Sequence, residues 1–398
     1  VMIMADNKDK KVLNVPALRF PEFTDEWKEV LFASNLERLE NGANYNTNDK
    51  DGVPMSRIET ISTGRIDYTK VGHCSTPQKI EHYIMRYGDI LFSHINSLKH
   101  IGKTAYYSAE EPLYHGMNLL LFRCKNNVDS KFFFFLINNT HFIRKCQILA
   151  KQAVNQASIS TSDLKKIKVY IPDINEQSKI QKFLSLIEKR IELQNKIIED
   201  LKKLKSALAD KLYSSTKSET YSFRQLFDVV NERNKKLTYS NVLSASQELG
   251  MIERSDINID IKFEQDSISK YKIVRRGDYV VHLRSFQGGF AFSDRTGICS
   301  PAYTILRPHD MVVYGYLSYF FMSKPFIKSL KLVTYGIRDG RSINVEEWLD
   351  MTVTLPTRQK QSHIITIINA IDDKLNNENQ IHTCLLQQRA FLLKVMFI

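Results

Sequence analysis

Three short patterns contain residue types that could support catalysis. A DNA or protein methyltransferase needs an Asn/Asp/Ser-Pro-Pro-aromatic loop, and the nearest match, SPAY at 300–303, occurs in a chain without any Pro-Pro pair. The sequence GKT at 102–104 would end a phosphate-binding loop, but Ser97 stands where that loop needs its earlier glycine. Asp-x-Lys triplets of the nuclease type begin at Asp163, Asp200 and Asp260, as chance allows in a lysine-rich chain. The sequence therefore predicts no catalytic residues and no cofactor.

Metal-ligating residue types are scattered. The five cysteines form no Cys-x-x-Cys pair, and His73 beside Cys74 is the nearest approach to a ligand pair. Adjacent residues on one loop rarely build a zinc site alone, so no metal is expected. An odd number of dispersed cysteines fits a reducing, cytoplasmic setting.

The charge indicates a polyanionic partner. Lysine and arginine total 56 against 44 acidic residues, which gives a net charge of +12. An excess of this size favours DNA, RNA or an acidic membrane surface, although a solvated basic face would also produce it. No run of eighteen apolar residues is present, so no transmembrane helix is expected. Residues 1–15 are predicted to be a disordered leader, because their first part is too short and too charged to be a secretory signal.

The elements that must position any functional residues occur twice. When Pro172 is set on Pro356, the register holds without a gap from about 142 to 212. Upstream, YGDILFSHINSLKHIGKTAYYS at 87–108 parallels RGDYVVHLRSFQGGFAFS at 276–293. In both copies a Gly-Asp turn leads into an apolar strand and then a polar loop. This period is far longer than that of a solenoid repeat.

Each half contains a strand-rich domain followed by a long helix. A helix is predicted to close each domain, at KFFFFLINNTHFIRKCQIL and at YGYLSYFFMSKPFIKSLKL. Pro172 and Pro356 cannot lie inside a helix, and each precedes one. The fold class is thus α+β with two pseudo-symmetric domains. We predict the leader at 1–15, the domains at 16–175 and 216–357, and the helices at 176–215 and 358–398.

Both long helices carry an apolar stripe with coiled-coil spacing. The stripe is interrupted by Gln194 in the first copy and by Glu378 in the second, and in the first it extends through Leu204, Leu208 and Leu212. Each helix needs one apolar partner, and the economical arrangement is that the two pack on each other antiparallel; the alternative is that each packs on its own domain. The predicted seam residues are Ile180, Leu184, Ile187, Ile191, Ile198, Leu201, Ile364, Ile368, Ile371, Leu375, Leu385 and Leu392.

These passages together resemble the specificity subunit of type I restriction–modification systems. The opening PALRFPEFTDEW, the GDILFS and GDYVV strands, and SISTSDLKKIKVYIPDINEQSKI with its second copy carry the resemblance over nearly the whole chain. It implies a non-catalytic subunit that reads a split, asymmetric DNA site, one half per domain. The helices would separate the domains and dock two methyltransferase subunits that modify adenine, and motor-nuclease subunits would join for cleavage.

Two polar loops in each half are candidates for contacting DNA. Arg can bind guanine bidentately and Asn or Gln can bind adenine, whereas Lys99 and Lys103 suit phosphate oxygens. The loop after each Gly-Asp strand offers Ser93, His94, Asn96, Ser97, Lys99, His100 and Lys103, and His282, Arg284, Ser285 and Gln287. The loop before each repeated Ser-Ile pair offers Lys151, Gln152, Asn155 and Gln156, and Tyr335, Arg338 and Arg341.

Two other classes of function stay open at this point. A nucleic-acid-bridging protein could have the same pseudo-symmetry, and a scaffold could use its basic charge to meet an acidic protein. Dependence of binding on a bipartite sequence would separate the specificity subunit from both.

Overall fold

The computed structural model describes two compact units. The first comprises Val1–Lys196 with Gln380–Ile398, and the second comprises Ile197–Asn379. Within them the structure describes residues 3–4, 13–45, 51–75, 80–153, 156–214, 218–246, 249–254, 265–282, 289–335 and 342–398. The predicted leader therefore lies largely outside the described residues.

The first unit contains thirteen described strands and the start of a long helix. The strands are β1 (Ile3–Met4), β2 (Leu18–Arg19), β3 (Lys28–Leu31), β4 (Leu36–Asn41), β5 (Val53–Met55), β6 (Gly72–Cys74), β7 (Ile90–Phe92), β8 (Ile95–Asn96), β9 (Thr104–Tyr106), β10 (Leu120–Cys124), β11 (Lys151–Ala153), β12 (Gln156–Ser158) and β13 (Lys168–Ile171). The helices are α1 (Ser130–Ile137), α2 (Thr140–Leu149), α3 (Thr161–Lys166) and α4 (Ile174–Ser214), of which α4 continues into the second unit.

A four-stranded antiparallel sheet in the order β4-β10-β7-β9 organises the first unit. Alternate side chains point to opposite faces, so Phe92 and Phe122 join the core beneath α1, while Leu91 and Leu121 join a smaller cluster. β3 pairs with β13, which attaches the strand before Pro172 to the start of the domain. The sheet is thus buried on both faces.

The predicted closing helix is two helices. Asn139 follows α1 and caps α2, because its side-chain oxygen accepts a hydrogen bond from the backbone N–H of Phe142 at 2.7 Å. The second copy is divided in the same way at Ser323, whose hydroxyl accepts from the backbone N–H of Phe326. In each copy a capping side chain therefore begins a second helix where the apolar periodicity predicted one continuous helix.

The second unit repeats this framework. Its strands are β14 (Glu219–Ser222), β15 (Phe227–Val230), β16 (Leu243–Ser246), β17 (Gly250–Glu253), β18 (Lys272–Val274), β19 (Tyr279–Val281), β20 (Phe290–Phe292), β21 (Gly297–Cys299), β22 (Thr304–Pro308), β23 (Thr334–Tyr335), β24 (Ser342–Ile343) and β25 (Thr352–Leu355). Its helices are α5 (Phe223–Leu226), α6 (Tyr316–Met322), α7 (Lys324–Ser329), α8 (Val345–Asp350) and α9 (Arg358–Val395), of which α9 ends in the first unit.

The two main sheets have the same topology. The order β15-β22-β19-β20 in the second unit matches β4-β10-β7-β9 strand for strand. The ladder β14–β25 has the register of β3–β13, since Tyr221 faces Val353 as Val30 faces Val169. The α+β fold with two pseudo-symmetric strand-rich domains is therefore confirmed.

The predicted pairing of the long helices is also confirmed, within each unit. In the first, Ile180 and Leu184 of α4 share one core with Leu392 of α9, and Glu188 forms an ion pair with Arg389. In the second, Leu212 of α4 packs on the core that contains Ile364 and Ile368 of α9. These contacts are antiparallel, and they also join each helix to the domain beside it. The predicted seam residues are buried or half-buried, whereas Leu204 is exposed.

Two interhelical ion pairs are equivalent under the internal repeat. Glu188 pairs with Arg389 in the first unit, and Lys205 pairs with Asp372 at 2.5 Å in the second. The offset that sets Pro172 on Pro356 also sets Glu188 on Asp372 and Lys205 on Arg389. The duplication therefore preserved not only the apolar stripe but also these charged contacts between the helices.

A buried glutamine joins each long helix to its own domain. Gln177 donates from Nε2 to the carbonyl of Pro172 at 3.0 Å and accepts from the N–H of Asp129 at Oε1. Gln361 donates in the same way to Pro356 at 2.8 Å and accepts from Val313. The glutamine that the repeat places shortly after each proline thus satisfies the backbone where strand becomes helix.

Candidate nucleic-acid interface

A three-stranded sheet of the first unit brings the two predicted loops together. Its order is β11-β12-β8, with Ala157 opposite Asn96 and Gln152 opposite Ala157. The N–H of Ile159 also donates to the carbonyl of His94 at 2.9 Å. The polar loop after the Gly-Asp strand and the loop before the repeated Ser-Ile pair therefore form one continuous surface, although both α1 and α2 lie between them in sequence.

Exposure divides the candidate side chains of this surface into two groups. Ser93 and His94 are buried, with exposed fractions of 1% and 5%. The remaining described candidates are available to a ligand: Ser97, Lys99, Lys151, Gln152 and Gln156 are exposed, and Asn96, His100 and Lys103 are half-buried. The role in contacting DNA stays a prediction. Because Ser93 and His94 are buried, their accessible neighbours are the better candidates for it.

The buried pair supports the accessible residues. The hydroxyl of Ser93 accepts from the side-chain amide of Asn96 at 3.3 Å, which orients that amide at the start of the loop. Burial lowers the pKa of His94 to about 4, so its imidazole is neutral at physiological pH. A neutral buried imidazole supplies no positive charge to a polyanion.

Hydrogen bonds within the loop fix its tip. The Ser97 hydroxyl bonds Nδ1 of His100 at 3.0 Å, and the backbone N–H of Ser97 donates to the side chain of Asn96. Ser93 and Lys103 are joined through the backbone at 2.8 Å. Side chains on a loop held in this way are pre-organised for binding.

The second unit has an equivalent surface, described in part. β23 and β24 pair as β11 and β12 do, with Thr334 opposite Ile343. His282 is half-buried, and burial lowers its pKa. Five candidates of this unit lie outside the described residues, namely Arg284, Ser285, Gln287, Arg338 and Arg341, and so does the side chain of Tyr335. In the first unit, Asn155 also lies outside them.

An ion pair that sequence reasoning missed anchors each Gly-Asp turn. Asp89, 1% exposed, accepts from Nε and Nη2 of Arg123 at 2.8 and 2.7 Å, and from the N–H of Arg86. This bonding raises the pKa of the Arg123 guanidinium. The arginine lies on β10, 34 residues further along, so no local pattern linked it to the turn.

The second unit repeats this anchor. Asp278 binds Arg307 of β22 with both bonds at 3.0 Å and accepts from the N–H of Arg275. Gly88 and Gly277 precede the two aspartates with φ of +92° and +97°, values that favour glycine. The sequence signal that could have revealed this ion pair is the arginine that both copies carry in the neighbouring strand, Arg123 in β10 and Arg307 in β22.

The described part of the chain contains no cluster of metal-ligating side chains. No group of three or more His, Cys, Asp or Glu side chains among those residues could hold an ion. No helix within the same residues is long and apolar enough to cross a membrane. The accessible groups are amides, hydroxyls and ammonium groups, which are the donors and acceptors that contact base edges and phosphates.

Comparison with known proteins identifies the class. The model of the type I restriction modification DNA specificity domain matches residues 29–203. The putative type I restriction enzyme MjaX specificity subunit of Methanocaldococcus jannaschii is 32% identical over 384 residues, with 88% of each chain covered. This chain therefore belongs to the type I restriction–modification specificity subunit family, as the motifs indicated.

Solved structures share the fold. The type I restriction-modification S subunit from M. genitalium matches with a TM-score of 0.56 at 15% identity, covering 96% of this chain and 99% of that one. A chain from a structure on complex assembly and conformational transition of the type I R-M system also gives 0.56, at 12% identity, with 92% and 96% covered. These likenesses confirm the architecture.

Proposed function

We propose that this chain is the DNA-reading subunit of a type I restriction–modification complex and that it recognises a bipartite, asymmetric site. The observation that carries the proposal is a strand framework built twice, with the same sheet order and anchors, that presents different loop residues. Equal frameworks with unequal loops suit two readers of unequal half-sites. The domains at 16–175 and 216–357 would read one half-site each.

The first half-site would be read by the surface of β8, β11 and β12. Exposed Gln152 and Gln156, with half-buried Asn96, suit adenine edges, because an amide can donate and accept at once. Lys99, Lys103 and Lys151 suit phosphates. For the second half-site, Arg284 and Arg338 are proposed to bind guanine, and His282, Ser285, Gln287, Tyr335 and Arg341 are the further candidate contacts.

The long helices are proposed to set the spacer and to dock the partners. A 41-residue α4 is about 61 Å long at ~1.5 Å per residue. Helices of fixed length and register would fix the number of unread base pairs between half-sites. Two methyltransferase subunits would bind them and modify adenine, and motor-nuclease subunits would join for cleavage. Chemistry and its cofactors would then belong to the partners, in the cytoplasm.

The test is methylome sequencing of a host that carries this chain with its methyltransferase partner. The proposal predicts one asymmetric motif with two specified halves and a gap of constant length. Exchanging residues 216–357 for the equivalent domain of a relative should replace one half only. An undivided motif, or methylation without sequence preference in an assembled complex, would contradict the proposal and favour a bridging or scaffold role.

A further inference from the structure

A cavity of about 320 Å³ lies beside the candidate interface of the first unit. It adjoins β8, because the 3₁₀ turn Leu98–His100 that follows β8 supplies Lys99. Its walls come from three separate parts of the chain, namely Ser62–Gly64, the segment with Lys99 and 101–104, and the α1–α2 junction with Asn138 and Ile143. The cavity is open to solvent, and no sequence motif marked the turn at 62–64 as functional.

The charged residues of the lining are both basic. Lys99 and Lys103 line the cavity, and the lining includes no acidic residue. Neither lysine forms an ion pair with a carboxylate among the described residues. Two ammonium groups without a counter-ion near one space favour an anionic occupant, because Coulomb attraction grows where solvent is partly excluded.

The geometry holds one ammonium group in place. Nζ of Lys103 donates to the carbonyl of Ser62 at 2.9 Å, which holds the ammonium group beside the Ser62–Gly64 turn. Two further N–H donors stay on the same nitrogen. Gly64 closes the turn at φ +78°, and a Cβ there would meet only the carbonyl oxygen of Thr104 at 4.0 Å. Exposed Thr63 and half-buried Ser62 add two hydroxyls. A fixed cation with hydroxyl donors suits phosphate oxygens.

The asparagine of the cavity wall is held by two hydrogen bonds within the protein. The Asn138 side chain accepts from Thr104 at 2.9 Å and donates to the carbonyl of Phe134 at 2.7 Å. One N–H hydrogen and one acceptor lone pair of this amide are not used by these two bonds. Recognition would come from the lysines and the turn, which is enough for a phosphate but does not select a base.

We propose that this cavity binds one phosphodiester group of the DNA backbone next to the first half-site. The proposal rests on the proposed function and adds to it a defined anchor, formed by Lys99, Lys103 and the Ser62–Gly64 turn. A continuous strand can lay one phosphate into an open recess but cannot enter a closed cavity. The anchor positions the domain on the duplex and leaves base selection to the neighbouring sheet.

The test is the salt dependence of DNA binding by the full chain in complex with its methyltransferase partner. Each phosphate contact contributes about 0.9 to the slope of log Kobs against log salt. Lys99→Gln with Lys103→Gln should therefore reduce the slope by about 1 and weaken binding about 8-fold at ~0.1 M salt. The methylated motif should stay unchanged, because no base contact is removed.

Matched variants separate charge from folding. Lys99→Arg with Lys103→Arg keeps both charges and should retain most of the slope. Lys28→Gln with Lys125→Gln removes two exposed lysines of the same unit that do not line the cavity, and should leave the slope within about 0.3 of wild type. Lys99→Gln alone changes an exposed side chain, so the fold should persist, and should still lower the slope.

The outcomes distinguish this proposal from the one on which it rests. If the wild-type complex binds DNA without sequence preference, the proposed function fails. If it binds its motif but the double glutamine variant keeps the wild-type slope, only the anchor is wrong. Saturable binding of inorganic phosphate to the chain, lost in the variant while the DNA slope stays constant, would show a site for a free anion and would also overturn the proposal.

Discussion

Replacing Gln361 by leucine should destabilise the second unit at one defined joint. The side chain is fully buried, and it accepts from the N–H of Val313 at 2.8 Å and donates to the carbonyls of Pro356 and Met311 at 2.8 and 3.0 Å. A buried backbone group that loses its partner costs about 1–3 kcal/mol. Two such groups, N–H of Val313 and C=O of Pro356, predict a loss of about 2–6 kcal/mol in the free energy of unfolding, and leucine packing should offset part of that loss.

The assay is hydrogen exchange at single amides, supported by urea denaturation. In Gln361→Leu the amide of Val313 should exchange at least 10-fold faster, while that of Asp129 in the first unit stays protected. Gln177→Leu should do the reverse, because Gln177 accepts from Asp129. Each variant is therefore the control of the other.

A conservative control lies one residue away. Ser362 is exposed, and its alanine variant should change the free energy of unfolding by less than about 0.5 kcal/mol. If Gln361→Leu were equally mild, or if both amides responded alike in either variant, the glutamine would not be a local joint. The reasoning from its three hydrogen bonds would then be wrong.

Three further changes test other contacts. Burial lowers the pKa of His115 from 6.5 to about 4. The contribution of this shift to the free energy of unfolding should therefore be fully present above pH 6.5, and ~3 kcal/mol of it should be lost as the pH drops towards 4. His115→Gln should flatten that part of a pH titration of the unfolding free energy. Asp89→Asn leaves the Arg123 guanidinium without its buried carboxylate and should lower the free energy of unfolding, measured by urea denaturation, by about 3 kcal/mol. The control Asp294→Asn breaks the exposed pair with Arg295 and should lower it by less than ~1 kcal/mol. Lys205→Glu should destabilise through Asp372, and adding Asp372→Lys should restore ~0.5–1 kcal/mol; a double-mutant cycle with no coupling would refute the ion pair.

The sequence alone determined the duplication and its helices. A constant offset that holds from about 142 to 212, a proline before each helix and an apolar stripe are local or periodic signals, and each reflects a constraint on neighbouring residues. They were sufficient to predict two similar domains, the start of each helix and the pairing of the stripes. The same offset later proved to hold for the joints Gln177 and Gln361 and for the interhelical ion pairs.

The tertiary structure decided which polar residues can meet a ligand. Ser93 and His94 follow an apolar strand and read as a loop, but the β8–β12 pairing covers them and leaves Ser97 and Lys99 outside. The partner of Asp89 and the turn at 62–64 beside Lys103 also depend on segments that are distant in sequence. Periodicity reports the face a residue occupies on its own element. Burial and anchoring depend on which other element covers that face, and long-range strand pairing settles this only when the chain folds.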